Sequence, residues 1–274
     1  LFNKLNYRVK IALLDNNDVV LLHYTKDIIY STPRYKFDGK YYYLISKYNK
    51  KEIGKIYTYN QDYPDALKSL DFSMTKLPEF TQKRMHREVS FTDYGKTYKA
   101  SYSYNKNIFD FMNTYPQIDY SIYFNAPMEA QTYRDLASDI KQYIDGKKMS
   151  EAMNIVLRFV QKAFKYERDN EQFGHEKVMF SEETLVYKAS DCEDRAVLFS
   201  YLIKELFGVS VVGVKYSDHM STALYIPLQG DSIKIGKRRY VMADPTYVNA
   251  NIGQEIPKYR NIQPDYFIYL ATNK

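Results

Sequence analysis

The sequence predicts an α+β protein, with a mainly β first half followed by helices and then an antiparallel sheet. Three observations carry that reading. Up to about Pro127, short apolar or aromatic runs alternate with turn residues. Beyond it the apolar spacing changes to the 3.6-residue period of helices. From Val209 onward, short runs of strand type return.

Taken in order, YRVKIALLD, DVVLLHYT, KYYYLISKY, GKIYTY, REVSFTD, KTYKASYSY and IDYSIYF predict strands. Between them, DNND, FDGK and DYGK supply the Asn, Asp and Gly of tight connections. The stretch YPDALKSLDFSMTKLPEF interrupts the pattern as a short helix and a loop. After NAPMEA, TYRDLASDIKQYIDG predicts a helix ending on a glycine cap. MSEAMNIVLRFVQKAFKY then places Ala152, Ile155, Val156, Phe159, Val160 and Phe164 on one helical face. A third helix starts within VYKASDCEDRAVLFSYLIKEL, and VSVVGVKY, MSTALYIPL, DSIKIG and RRYVMAD read as strands. These changes of period set a boundary near residue 128, between a β-rich, Tyr-rich domain at 1–128 and a second domain at 129–274. No internal repeat or low-complexity tract is present.

An apolar fraction of 45% over 274 residues is enough to bury a substantial core. The net charge of +6 is spread among 39 basic and 33 acidic residues with no basic run, which argues against nucleic acid as a partner. No apolar run approaches the roughly 18 residues of a membrane span. The chain begins at Leu1 rather than Met, so a mature exported protein is expected, at the periplasm or cell surface of a bacterium. A single cysteine allows no internal disulfide. Of 30 tyrosines, 18 precede residue 130, and there is no tryptophan. Tyrosine favours half-buried pleated surfaces, so a Tyr-faced sheet is the plain reading and an aromatic platform for sugar or peptide the sharper one.

That one cysteine, Cys192, falls at the start of the third helix. With Ser190 as N-cap, Glu193 stands at the third helical position and SDCE fits a capping box. A thiol there lies near unpaired N–H groups, which lower its pKa and can hold an oxyanion. Asp191, Glu193 and Asp194 push the other way, so a positive partner is required. Of the four histidines, His23 and His86 lie in the β-rich half, and His175 sits in a polar loop as a rival base. His219 opens a strand, and Asp244 ends the next convincing one. Nucleophile, base and orienting acid in those places suit cysteine acyl transfer. Singly, each residue has an ordinary reading: a small buried thiol, an exposed histidine, a turn aspartate. One thiolate without CxxC or HxxxH spacing is weak support for a metal, and no cofactor is implied.

The run FVQKAFKYERDNEQFGHEKVMFSEETLVYKASDCEDRAVLFSYLIKELFGVSVVGVKYSDHMSTAL, continuing to RRYVMADPTYVNANIGQEIP, resembles bacterial members of the transglutaminase-like superfamily over about residues 150 to 260. The resemblance implies a papain-like core in which Cys192 is the nucleophile, His219 the base and Asp244 the orienting acid. It implies a structural or cleft-lining role for Glu183 and Thr184 and a cleft-lining one for Tyr247, and Asp191, beside the nucleophile, is a further candidate for the cleft. Ser190 departs from the family's more usual glycine. The expected activity is hydrolysis of an amide or peptide through a thioester, acting on a peptide or protein, such as cell-wall peptide or a polysaccharide-linked one. The alternatives are a protein-glutamine acyltransferase, or a binding or structural protein with an idle triad and a ligand-binding Tyr-rich half.

Overall fold

A computed structural model describes residues 1–15, 17–45 and 55–271. Among them the chain is mixed α and β, and its sheets are antiparallel apart from one two-residue pair. None of the described helices is long and apolar enough to cross a membrane. The chain divides into two compact units, Leu1–Ser73 with Thr114–Asp119, and Met74–Asn113 with Tyr120–Lys274. The boundary expected near residue 128 is therefore corrected, because the long hairpin within 84–105 belongs to the second unit.

In the first unit, β1 (Val9–Leu14), β2 (Val19–Tyr24), β3 (Arg34–Phe37), β4 (Lys40–Tyr43) and β5 (Ile56–Thr58) form one sheet in the order β3-β4-β2-β1-β5. Alternation along β1 turns Lys10, Ala12 and Leu14 inward. Lys10 tolerates burial because its ammonium meets Asp62 at 2.8 Å and lies over the Tyr59 ring. Leu22 and Tyr42 pack in this core with Tyr24, Tyr35 and Phe37, whereas Tyr41, Tyr57 and Tyr63 stay exposed. The rest of the KYYYLISKY run past Ile45, like Gly54 of GKIYTY, lies outside the described residues. YPDALKSLDFSMTKLPEF holds no helix. Lys68 N–H donates to Asn6 O at 2.8 Å and Leu70 N–H to Tyr24 O at 2.9 Å, so tertiary backbone pairing overrides local propensity.

The second unit opens with a hairpin of β6 (Arg84–Asp93) and β7 (Lys96–Asn105), turned by Tyr94 and Gly95, both at positive φ. Next come α1 (Lys106–Met112), α2 (Tyr120–Asn125), α3 (Ala130–Ile144) and α4 (Met149–Lys162). IDYSIYF is helical in α2, a correction to the expected strand: Tyr120, Tyr123 and Phe124 follow i, i+3, i+4 spacing, and Pro127 stops the helix soon after. The far side of β7 is covered by α3, whose Asp139 accepts from Ser101 N–H at 2.7 Å and Asp135 from Ser103 N–H at 3.0 Å. The apolar face of α4 is buried at Ala152, Val156, Phe159 and Val160, as its spacing predicts.

Short elements lead to the last helix: β8 (Lys165–Tyr166), α5 (Asp169–Gln172), α6 (Ser181–Val186) and β9 (Ala189–Ser190), then α7 (Cys192–Phe207), which ends on Gly208 in the left-handed region. A five-stranded sheet follows, from β10 (Val211–Tyr216), β11 (His219–Leu224), β12 (Ser232–Ile235), β13 (Arg238–Ala243) and β14 (Tyr266–Tyr269), in the order β12-β13-β11-β10-β14. The edge strand β14 is beyond the sequence-based expectations. Helix α7 packs on β10 and β11, burying Leu198, Phe199, Leu202 and Ile203 in the main core. A Cβ at Gly213 would meet the Phe124 ring at 2.9 Å, so this glycine lets α2 lie close against β10.

Candidate functional site around Cys192, His219 and Asp244

Cys192 is the first residue of α7, and the cap is Asp191 rather than Ser190. The shift has a local cause: Ser190 belongs to β9 and its hydroxyl accepts from Arg195 Nε at 3.2 Å. Asp194 takes the part expected of Glu193. One of its oxygens accepts from Asp191 N–H at 3.2 Å and the other from Met179 N–H at 2.8 Å. Glu193 is thereby left to face the thiol, and the half-buried Cys192 Sγ donates to Glu193 Oε2 at 3.0 Å.

The sulfur also accepts from the backbone N–H of Met220, which places it beside the His219–Met220 peptide. Burial pushes the thiol well above its usual range, and the charges of Glu193 and Asp191 push it further. Helix end and neighbouring acids oppose each other in the sequence, and burial, together with those acids, outweighs the positive end of the helix.

His219 begins β11, opposite Tyr216 on β10, and is buried. Its Nε2 meets Asp244 Oδ2 at 2.7 Å. Asp244 directly follows β13, and its Oδ1 accepts from Thr246 N–H at 2.8 Å, Thr246 Oγ1 at 2.6 Å and Tyr247 N–H at 3.2 Å. Burial pushes the Asp244 carboxyl up, but the hydrogen bond and charge of His219, with the Thr246 bonds, hold it below the usual carboxylate range. An ionised Asp244 places the imidazole proton on Nε2, so Nδ1 carries the lone pair.

Cys192 and His219 line one cleft of about 520 Å³, together with Tyr120, Tyr166, Asp191 and Glu193. Asp244, wholly buried, lies behind His219. Glu183, Thr184 and Tyr247 do not line the cleft, the first two standing in the structural role that was the other expectation for them. Glu183 is fully buried, pairs with Lys177 at 2.7 Å and accepts from Phe180 N–H to cap α6. Thr184 is fully buried, its hydroxyl donating to Phe180 O. Tyr247 contributes its backbone N–H to Asp244 rather than its ring to the cleft. Asp191 does line the cleft. His175 is exposed, donates to Phe173 O at 3.0 Å and is not among the cleft residues.

Other contributors were not singled out from sequence. Gln161 Nε2 donates to Asp244 O at 3.0 Å, and Arg158 holds Asn249 O and Asn251 Oδ1, so α4 fixes the turn after Asp244. Their signal was a pair of polar residues, i and i+3, on a buried helical face. Tyr259 stacks on the His219 ring at 4.9 Å and on Tyr216 at 4.6 Å, covering one face of the imidazole.

Below the thiol lies a set of buried carboxyls. Burial pushes Asp169 up to about 7, and burial with mutual repulsion raises Asp191 and Asp194. Unfolded, such groups ionise near pH 4, so above that pH the folded chain binds more protons and loses stability as pH rises towards 7. Asp244, held low, acts in the opposite sense only below about pH 4. His23, lowered by burial, opposes the trend below about pH 6.5, so a variant comparison isolates the effect. Asp169→Asn is expected to gain about 1–2 kcal/mol over wild type at pH 8 and much less at pH 5, measured by thermal melting. An equal effect at both pH values would contradict the assignment.

No protein-family model matches the chain, and no curated protein matches it.

Proposed function

We propose that this protein is a cysteine amide or peptide hydrolase with a transglutaminase-like, papain-type core in its second unit. The observation that carries the reading is the shared cleft: thiol and imidazole both face it, and a buried, fully bonded carboxylate orients the imidazole from behind. The order of elements supports it too, with the cysteine on the first turn of a buried helix and its partners on the sheet beneath.

With a raised thiol pKa, the resting sulfur keeps its proton, so His219 acts as general base during attack. The Cys192 proton passes to Nδ1 as the sulfur adds to the substrate carbonyl. First-turn amides of α7 are the donors placed to hold the oxyanion. Collapse breaks the C–N bond, His219 protonates the leaving amine, and a thioester remains. Water, deprotonated by His219, then releases the acid. Hydrolysis is favoured over amine transfer because Arg168, Asn170, Glu176, Ser217 and Asp218, all exposed, leave the cleft open to water.

The test uses the single cysteine. A p-nitrophenyl ester should acylate Cys192 in a burst of one equivalent per chain, located by mass spectrometry. Iodoacetamide should label wild type about 10²-fold or more faster than His219→Ala at pH 7. Absence of a burst together with equal labelling rates would refute the reading and leave Cys192 as a packing residue.

A further inference from the structure

We propose that the cleft at Cys192 takes a substrate bearing a guanidinium or ammonium group, a basic side chain on the acyl-donor peptide, and that this group pairs with Glu193 and Glu176. The inference rests on the acyl-transfer reading above and adds the substrate class.

Acidic side chains are concentrated here against the sign of the whole chain. Asp169, Glu176, Asp191 and Glu193 all line the cleft, in a protein of net charge +6. Carboxylate oxygens of Asp169, Glu176 and Glu193 lie within 4.8 Å of one another, and so do those of Asp169, Asp191 and Asp194. The cleft also carries two cations. Lys215 donates its ammonium to the carbonyls of Tyr216 and Ser217, and Arg168 is exposed. Among the described residues, neither forms an ion pair with these four acids. Asp218, the remaining acid on the cleft, is paired with Lys258 and Tyr259.

A second observation points independently to a missing donor. Oδ1 of Asp169 and Oδ1 of Asp191 are buried with no hydrogen-bond partner, on side chains 2% and 7% exposed. Buried polar atoms are almost always satisfied, and even with the proton that a raised carboxyl keeps, two unpartnered acceptors call for a further hydrogen-bond donor. Four other oxygens of the cluster are already used: Asp169 Oδ2 by Lys177 N–H, both Asp194 oxygens by backbone N–H groups and Glu193 Oε2 by the thiol. What remains is a set of acceptors without donors of their own. It suits a cationic group that brings its own N–H donors in a fork. Tyr120 and Tyr166 add aromatic walls on which a guanidinium stacks.

The pairing has a consequence for the nucleophile. Glu193 now accepts the thiol proton and adds negative charge beside the sulfur. A substrate cation drawn to Glu193 neutralises that charge and frees the thiol for His219. Basic substrates would thus be bound and also help to ionise Cys192.

Charged thiol reagents test this without knowledge of the natural substrate. Cys192 is the only thiol, so methanethiosulfonates bearing 2-trimethylammonioethyl, 2-sulfonatoethyl or methyl groups report on it alone. In each case sulfur displaces methanesulfinate and forms a mixed disulfide. With rates normalised to a small free thiol, the cationic reagent should exceed the anionic one about tenfold or more at low salt. The preference should shrink at high salt and in both Glu193→Gln and Glu176→Gln, the second being an exposed site that folding tolerates. Millimolar N-acetylarginine amide should slow the methyl reagent, and calcium at equal concentration should not. A ratio near one, or a preference unchanged in both variants, overturns the inference while leaving the acyl-transfer reading intact. Protection by calcium but not by the arginine amide overturns it in favour of a metal site. A thiol that reacts with none of the reagents overturns both.

Discussion

Asp244→Asn is expected to slow acylation of Cys192 by about 10⁴-fold, through the proton on the imidazole rather than through loss of fold. The orientation of the new amide is decided by its neighbours. Three donors, Thr246 N–H, Thr246 Oγ1 and Tyr247 N–H, converge on Oδ1, so the amide oxygen of the variant must stay there. The amide NH₂ then faces His219 Nε2, where Asp244 Oδ2 now accepts at 2.7 Å. A donor in that place demands a lone pair on Nε2 and moves the proton to Nδ1, the nitrogen that must take the thiol proton. The check is the burst rate with the p-nitrophenyl ester, beside a melting curve close to wild type. A loss below tenfold in a folded variant would show that Asp244 does not orient the base.

The second large effect is structural. Arg195→Leu is expected to cost about 3–5 kcal/mol, read from the midpoint of urea unfolding at unchanged slope. Arg195 is 1% exposed. Its guanidinium donates to Gln161 O at 3.1 Å, Phe164 O at 2.7 Å and Ser190 Oγ at 3.2 Å, and lies over the Tyr166 ring at 5.2 Å. One side chain thus satisfies carbonyls at the end of α4, holds β9 and fixes the approach to Cys192. Leucine restores apolar contact but leaves the two carbonyls unsatisfied, each costing about 1–3 kcal/mol when buried. A loss under about 1 kcal/mol would mean that water or a rearranged neighbour replaces the guanidinium.

Periodicity made much of this architecture legible. The buried face of α4 and the strands at 211–216, 219–224, 232–235 and 238–243 follow patterns set by side-chain direction alone. The approach of His219 to Asp244 was legible for a related reason: each sits at an end of a strand, and β11 pairs with β13. What failed depended on partners distant in sequence. IDYSIYF carries both strand-like residues and helical spacing, and packing of Phe124 on Gly213 favours the helix. The cap moved from Ser190 to Asp191 because Arg195 claims the serine hydroxyl. Glu183 had two readings, structural or cleft-lining, and its burial against Lys177, a partner the sequence does not indicate, decides for the first. The direction of the thiol shift was open in sequence, where helix end and acids opposed each other. Burial and the Glu193 contact decide it.

The first unit is discontinuous, and this bears on its synthesis. Thr114–Asp119 completes it: Tyr30 N–H donates to Gln117 O at 2.8 Å, and Tyr115 hydroxyl donates to Phe72 O at 2.7 Å. Roughly forty residues of the second unit, including the whole β6–β7 hairpin, are translated between Ser73 and that closing piece. At ribosomal rates of about 5–20 residues per second, the five-stranded sheet waits about 2–8 s for its last segment. During that interval the nascent hairpin is already emerging beside an unfinished neighbour. The two units therefore mature as interleaved products of translation rather than one after the other.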